Sequence, residues 1–551
     1  TDINRRLALS ATWGVEDALS DVGRSKYILN FGSDPYGGCP VDLVQRIVDA
    51  RSQGGARLVT FDVRTTKTAG KSDEWLPVNP GTDGLVALSM ASVIVEERLA
   101  DIAFLDRWSN VTSGYLAGYL ASYMPEATES RTGVAAADVR RIAREFALNR
   151  PATVLMGGGI SNRQNGVQNE RCIFLLNAVT GNIDVPGGYC LPVAYPLREP
   201  DPVPQKPDAG KIFGGGVVSP YAVLSLIGDG TLQAGVYMSY MSNPAYSNAD
   251  TTSAINVLKD ERLIPYSIAV DVLPSETASY ADMVLPDATF LERWDIESPL
   301  AYEGVPFVLL RQPVVSSPGE AAPFHEVCIE LGRRIGNGVE RFSSFRGAQD
   351  YLKAMADGIP GLKAAGGLDY LKDHGVWYDE KAVPAYRTYE SGGFATASKR
   401  LEIRSTDLES KGFGALPAYS PIDAYSGVGK DDLYMVTYEY GLLSSHLAGC
   451  KWLSEIEHSS VVLINADTAQ DRGIHEGDVV EVRSATGSIK VRARLTQGIH
   501  PRVVAAPTGA CHWGLGRIAQ AVRFKSDDPD TKLIWWKEGD NFGAHPKALV
   551  A

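Results

Sequence analysis

The stretch KYILNFGSDPYGG, Lys26–Gly38, decides the fold. An apolar run stops there at Gly-Ser-Asp-Pro. It is followed by the helix-patterned DLVQRIVDARSQGG (Asp42–Gly55) and a second apolar run, ARLVTFDVR (Ala56–Arg64). Strand, turn, helix, turn and strand within about thirty residues make one parallel crossover. The turn after a first parallel strand is where open α/β sheets hold ligands, which makes Gly32, Ser33 and Asp34 candidates. No G-x-G-x-x-G is present, so an ordinary nicotinamide or flavin fingerprint is excluded.

Working outward, Asp62 and Arg64 fall at the carboxyl end of the second strand. PVNPGTDG, Pro77–Gly84, then brings Gly81 and Asp83 to the start of the helix LVALSMASVIVEE. An Asp at such a strand end either accepts hydrogen bonds from a ribose or base edge or serves as a helix cap or surface ion pair. A basic-faced helix, AAADVRRIAREFA, precedes Pro151, and a new strand, ATVLMGGGI, begins after it. We place a domain boundary near residue 150 on that basis. Two glycine-rich turns, GGGISNRQNG (Gly157–Gly166) and TGNIDVPGG (Thr180–Gly188), bracket one apolar helix. The second suits a sharp exit from the helix and is left out of the site.

A Pro-rich stretch, Leu191–Gly210, reads as a long surface connection. The α/β alternation then resumes through AGVYMSYMSNPAYSN and LIPYSIAVDVLPSETASYADMVLP, where SNP echoes the earlier GSDP. Two nucleotide-sized crevices follow from that echo. Residues 340–430 carry few signals. From Leu433 short strands take over, and HEGDVVEVRSATGSIKVRARL alternates across a Gly-containing turn, the pattern of a half-buried hairpin in a small β-barrel.

Composition narrows the function classes. A chain of 551 residues calls for several domains. A net charge of -13, from 66 acidic and 53 basic residues, disfavours nucleic acid as a partner. No 18-residue apolar run is present. The 6 cysteines form no CxxC pair, so no zinc or iron–sulfur spacing exists, and most read as buried small apolar side chains. The opening TDINRRLALSATWG has neither an initiator Met nor a leader and reads as the interior of a longer chain.

Taken in order, strand–GSDP, FDVRTTKT, PGTDG, GGGISNRQNG, TGNIDVPGG, SNP, SETASYADMVLPDATFLER and NADTAQDRGIHEGDVVEVRSATG resemble the molybdopterin oxidoreductases of the dimethyl-sulfoxide-reductase superfamily. The resemblance implies an α/β fold: two Rossmann-like nucleotide-binding α/β domains, 1–150 and 151–430, and a C-terminal double-psi-type β-barrel domain, 431–551. It implies two molybdopterin guanine dinucleotides around one Mo or W. Gly32, Ser33, Asp34, Asp62, Arg64, Gly81 and Asp83 would serve one dinucleotide. Gly158, Gly159, Ser161, Asn165, Asn243, Pro244, Asp271, Ser275 and Asp282 would line the other crevice. In the last domain YGLLSSHLAGCKW and GACHWG match pterin-contacting loops and point to Ser445, His446, Trp452, His512 and Asn541.

The resemblance also implies parts not seen here. Members carry a cysteine quartet for a [4Fe–4S] cluster and a metal-ligating residue upstream of the YILNFGSDP strand, so both are expected before Thr1, and no metal ligand is assigned within the chain. The chain would then be most of a longer enzyme, one piece of a split enzyme, or a metal-free scaffold of a respiratory complex. The look of FATASKRLEI, of SSHLAGCKWLSEIE and of the chain's last residues is that of polysulfide, thiosulfate, tetrathionate and arsenate reductases. That branch implies two-electron redox chemistry on a small inorganic substrate, with Lys451, Arg517 and Arg523 available to an oxyanion. It further implies a ferredoxin-like iron–sulfur subunit, a quinone-linked membrane anchor and a place on the periplasmic side of a bacterial membrane, the cytoplasm being the other location left open. A formate dehydrogenase acting on a C1 substrate is the alternative enzyme.

Overall fold

A computed structural model of the chain describes residues 3–38, 41–191, 193–197, 222–302, 304–336, 338–340, 344–439, 456 and 461–508. The expected crossover is present. Strand Tyr27–Phe31 leads through helix Val41–Ser52 to strand Arg57–Asp62, and the two strands pair in parallel. Glu74–Pro77 extends the sheet beyond Arg57–Asp62, and Ala152–Met156 adds to the free side of Tyr27–Phe31, both in parallel. The chain therefore reverses its direction of travel across the sheet between Tyr27–Phe31 and Ala152–Met156.

Every residue of those two strands is buried, as a sheet covered on both faces requires. Alternation sorts them. Ile28, Leu58 and Leu155 pack on one face with Leu43 and Ile47 of the crossover helix. Leu29, Phe31, Val59, Phe61 and Val154 face a larger core on the other side, built with helices Asp83–Glu96 and Gly166–Val179.

This pairing corrects the boundary expected near residue 150. Ala152–Met156 is hydrogen-bonded along its length to Tyr27–Phe31, so a break there would cut a sheet. The chain stays with this first unit through Cys190, where Tyr189 packs edge-on against Trp13 at 5.4 Å. It also returns to it later: Tyr389, Phe394, Leu401 and Ile403 belong to the same core. Arg171, fully buried, donates to the carbonyls of Ile403 at 2.9 Å and Ala415 at 2.7 Å and ties that return in place. Desolvation pushes its guanidinium pKa down to about 10.

A second parallel sheet has Ser267–Asp271 between Tyr237–Tyr240 and Met283–Pro286. The quiet region of the sequence forms helices Ala348–Asp357, Pro360–Ala365 and Gly367–His374 over a small antiparallel sheet, Asp295–Glu297, Phe307–Arg311 and Val376–Tyr378. Tyr195, at the start of the Pro-rich stretch, packs 5.1 Å from Trp377, so that part is not a free surface connection. Residues 198–210 lie outside the described residues.

The C-terminal unit is a five-stranded mixed sheet in the order Tyr434–Tyr438, Val503–Pro507, Val461–Asn465, Ser488–Thr496, Val479–Arg483. The hairpin read from the sequence is its last pair, antiparallel, with Ile489, Val491 and Ala493 inward. This sheet joins the first unit through backbone bonds at the exit of Arg57–Asp62. Thr65 N–H donates to the Gly498 carbonyl at 2.7 Å, and His500 N–H donates to the Val63 carbonyl at 2.9 Å. Among the described residues no helix is long and apolar enough to cross a membrane.

Candidate functional site

The strand order puts a crevice at the carboxyl ends of the first sheet, where loops leaving Tyr27–Phe31 and Ala152–Met156 diverge. A cavity of about 840 Å³ lies there. Gly32, Ser33, Asp34, Asp62, Arg64, Gly81 and Asp83 line it, together with Gly158 and Gly159. The last two were expected in the other crevice. They belong to this one because their strand is the neighbour of Tyr27–Phe31.

Two loops meet at van der Waals limits beneath the cavity. A Cβ on Gly157 would lie 2.4 Å from the Gly32 carbonyl oxygen, so no side chain fits. Gly81 turns with φ +78°, and a Cβ there would come within 2.5 Å of Ile422 Cδ1. Asn165 supports that turn from behind, donating through Nδ2 to the Gly81 carbonyl at 3.2 Å and the Ser420 carbonyl at 2.6 Å. Ser161 is fully buried, and its carbonyl accepts from Asn4. Both are corrected from lining to supporting residues of the first crevice.

The electrostatics are mixed. Burial pushes the Asp62 carboxyl up to about 6 and the Asp83 carboxyl up to about 7, with Arg64 and Arg163 respectively pulling the other way. Arg64 stacks its guanidinium 4.3 Å from the Tyr438 ring. Arg163 is held by the Gly159 carbonyl at 2.7 Å and the Tyr425 hydroxyl at 3.0 Å. Lys67 is exposed and lines the same cavity. Carboxylates accept the N–H and O–H donors of a base or sugar, while cations and glycine-loop N–H groups suit phosphate oxygens. Sequence reasoning missed Lys67, Arg163 and Tyr438. Arg163 stands inside a turn read for its glycines, Ser161 and Asn165, and Tyr438 comes from a sheet 374 residues after Arg64, with no local signal.

The second sheet repeats the first in detail. Asp34 accepts from Thr68 N–H at 2.8 Å and from its hydroxyl at 2.7 Å. Asn243 Oδ1 accepts from the N–H and hydroxyl of Thr277, both at 2.9 Å. Asp34 and Asn243, Asp62 and Asp271, Thr68 and Thr277, and Pro77 and Pro286 stand the same number of residues apart. Asn243, Pro244, Asp271 and Ser275 gather at the carboxyl ends of that sheet, with Pro244 opening the helix Pro244–Ser247 and Ser275 Oγ accepting from Ala278 N–H at 3.2 Å.

Asp282 is a correction. Its carboxylate accepts from Ser267 N–H at 2.7 Å, at the amino end of the central strand, as Asp73 accepts from Leu58 N–H at 2.7 Å in the first sheet. A five-residue strand separates it from Asp271, roughly 13 Å at 3.3 Å per residue. It closes a turn and does not face the crevice. Ser445, His446, Trp452, His512 and Asn541, with Lys451, Arg517 and Arg523, lie outside the described residues. Of the described cysteines, Cys172 is buried and its thiol is pushed up to about 12, Cys190 is half-buried and Cys328 is exposed.

Carboxylates, cations and glycine loops at a sheet's switch point are the features with which open α/β proteins hold nucleotides. Residues 7–334 match the molybdopterin oxidoreductase family and residues 438–532 match the molydopterin dinucleotide binding domain. The chain belongs to the molybdopterin oxidoreductases, within the dimethyl-sulfoxide-reductase superfamily, and its cofactor is of the molybdopterin dinucleotide type. It is 28% identical over 536 residues to the thiosulfate reductase molybdopterin-containing subunit of Salmonella typhimurium, covering 88% of this chain and 68% of that one. It is 26% identical over 598 residues to the dimethyl sulfoxide reductase DmsA of Escherichia coli, covering 95% and 69%. The solved acetylene hydratase from Pelobacter acetylenicus has the same fold, with a TM-score of 0.75 at 23% identity over 92% of this chain and 74% of that one.

Proposed function

We propose that this chain is the catalytic subunit, or most of it, of a molybdenum or tungsten enzyme carrying two molybdopterin guanine dinucleotides. The observation that carries the proposal is the repeated strand-exit turn, Asp34 with Thr68 and Asn243 with Thr277, which supports a matched pair of nucleotide sites. In the first, Asp62 and Asp83 accept donors of a guanine or ribose edge, and Arg64, Lys67 and Arg163 offset the charge of the pyrophosphate. In the second, Asn243, Asp271 and Ser275 take the corresponding places. On this reading both parallel sheets are Rossmann-like nucleotide-binding units, and the C-terminal sheet is part of a double-psi-type barrel that covers the pterins.

When bound, the metal centre supplies two-electron redox chemistry. The chain's own part is to hold the nucleotide ends, and Val436 and Tyr438 of the C-terminal sheet add to the lining of the first cavity. We assign the substrate to sulfur or arsenic oxyanions or polysulfide, and electron transfer to a ferredoxin-like iron–sulfur subunit with a quinone-linked membrane anchor on the periplasmic side. The likeness to a thiosulfate reductase subunit supports that assignment. Metal and nucleotide analysis of the native complex tests the proposal. One Mo or W with two guanine nucleotides per chain is expected, and a carefully isolated complex without them would make the chain a scaffold. Reduced-dye assays with thiosulfate, tetrathionate, polysulfide and arsenate, against oxidation of formate, test the substrate class.

A further inference from the structure

The two strand-exit turns share a backbone but not their charges. In the first, Asp34 accepts both donors of Thr68, and the residue before Thr68 is Lys67, exposed and facing the cavity. In the second, Asn243 accepts both donors of Thr277, and the residue before Thr277 is Glu276, with no exposed surface. Asn243 Nδ2 donates to Glu276 Oε2 at 2.6 Å. The Lys67 and Glu276 positions are equivalent within the repeat.

A carboxylate serves the turn with either oxygen, so Asp34 needs no orienting partner. A carboxamide serves it only with its oxygen toward Thr277, and its NH₂ then needs an acceptor. Glu276 is that acceptor. We propose that Glu276 is a positioning residue that fixes the Asn243 amide, a part that the first turn does without because its acceptor, Asp34, is a carboxylate. The proposal rests on the two-dinucleotide reading for its consequence. At this repeat position the first turn offers a lysine to its dinucleotide and the second a buried glutamate, so the two are held unequally there. Lys67 makes the first contact sensitive to salt, because an exposed charge pair is screened.

Mixed pairings separate this from a merely structural role. Asn243→Asp alone sets a second carboxylate against buried Glu276 and removes the Nδ2 donor that Glu276 accepts from. Asn243→Asp with Glu276→Lys gives the second turn the residue types of the first, Asp34 and Lys67. Glu276→Gln keeps an acceptor for Asn243 Nδ2, and Glu276→Ala does not. The readouts are guanine nucleotide released per chain from the purified native complex and the thermal midpoint of the same complex. Wild type and Glu276→Gln are expected to release two, and Asn243→Asp and Glu276→Ala about one, with the double variant returning toward two as coupled neighbours do. Equal release from Asn243→Asp and the double variant, or from Glu276→Gln and Glu276→Ala, overturns the pairing. If the double variant fails to fold, the Gln and Ala comparison decides alone. If wild type itself releases no guanine nucleotide, the dinucleotide reading fails, and recovery of the thermal midpoint by the double variant still decides the pairing.

Discussion

Asp83 shows how one residue sets function against stability. Its carboxyl, like that of Asp62, is held above the usual carboxylate range in the folded chain because burial disfavours the charge. The fold therefore favours the protonated forms. Their contribution to stability is complete below about pH 4 and is lost as pH rises through the folded values of about 6 for Asp62 and about 7 for Asp83. Asp83→Asn is expected to raise the thermal midpoint of the ligand-free chain by a few degrees near pH 8 and to leave it unchanged near pH 5. The same variant is expected to retain less than half the wild-type guanine nucleotide, since an amide is a poorer acceptor for the N–H groups of guanine. Equal midpoint shifts at both pH values would show that the carboxyl does not titrate between them. Asp62 and Asp83 were legible in the sequence because each follows a recognisable strand or turn. Lys67 and Arg163 were not, because a cation in a polar turn looks the same whether it meets solvent or a cavity.

At the scale of elements, what is local was legible and what is distant was not. The crossover Tyr27–Asp62 and the C-terminal hairpin are fixed by alternation and turn residues within a few tens of positions. The pairing of Ala152–Met156 with Tyr27–Phe31 joins segments more than a hundred residues apart, and no periodicity in either announces it. The same holds for Asp282, whose place after a strand suggested a ligand although its bond to Ser267 lies at the sheet's other end. The meeting of Gly32 and Gly157 depends on that distant pairing. Gly157→Ala forces a methyl against the Gly32 carbonyl, and we expect it to destabilise the chain by about 2 kcal/mol and to empty the first crevice. Gly38→Ala, with nothing within 4 Å of its Cβ, is the control and should leave the denaturation midpoint near wild type.

In the whole molecule the first cavity is complete only where two units meet. Thr65, Gly498, Val63 and His500 hold the C-terminal sheet against the first, and Arg64 stacks on Tyr438 across the same seam. Tyr438→Ala is expected to leave the first core's stability within about 1 kcal/mol, because Tyr438 packs with Val436, Ile499, Val503 and Ala505 and is not part of that core. It should, however, speed loss of guanine nucleotide from the native complex several-fold, followed as release into a chelator-free buffer at rising salt. An unchanged rate would place the seam outside the cofactor's exit path. The returning segment around Tyr389–Ser420 adds a consequence in time. Asn165 and Gly81 rest on Ser420 and Ile422, which the ribosome makes more than two hundred residues after the sheet they complete. At about 5–20 residues per second, the nascent first sheet waits roughly ten seconds or longer without its back wall. If the first crevice holds a dinucleotide as proposed, the order of translation leaves its support incomplete until the later segments have emerged.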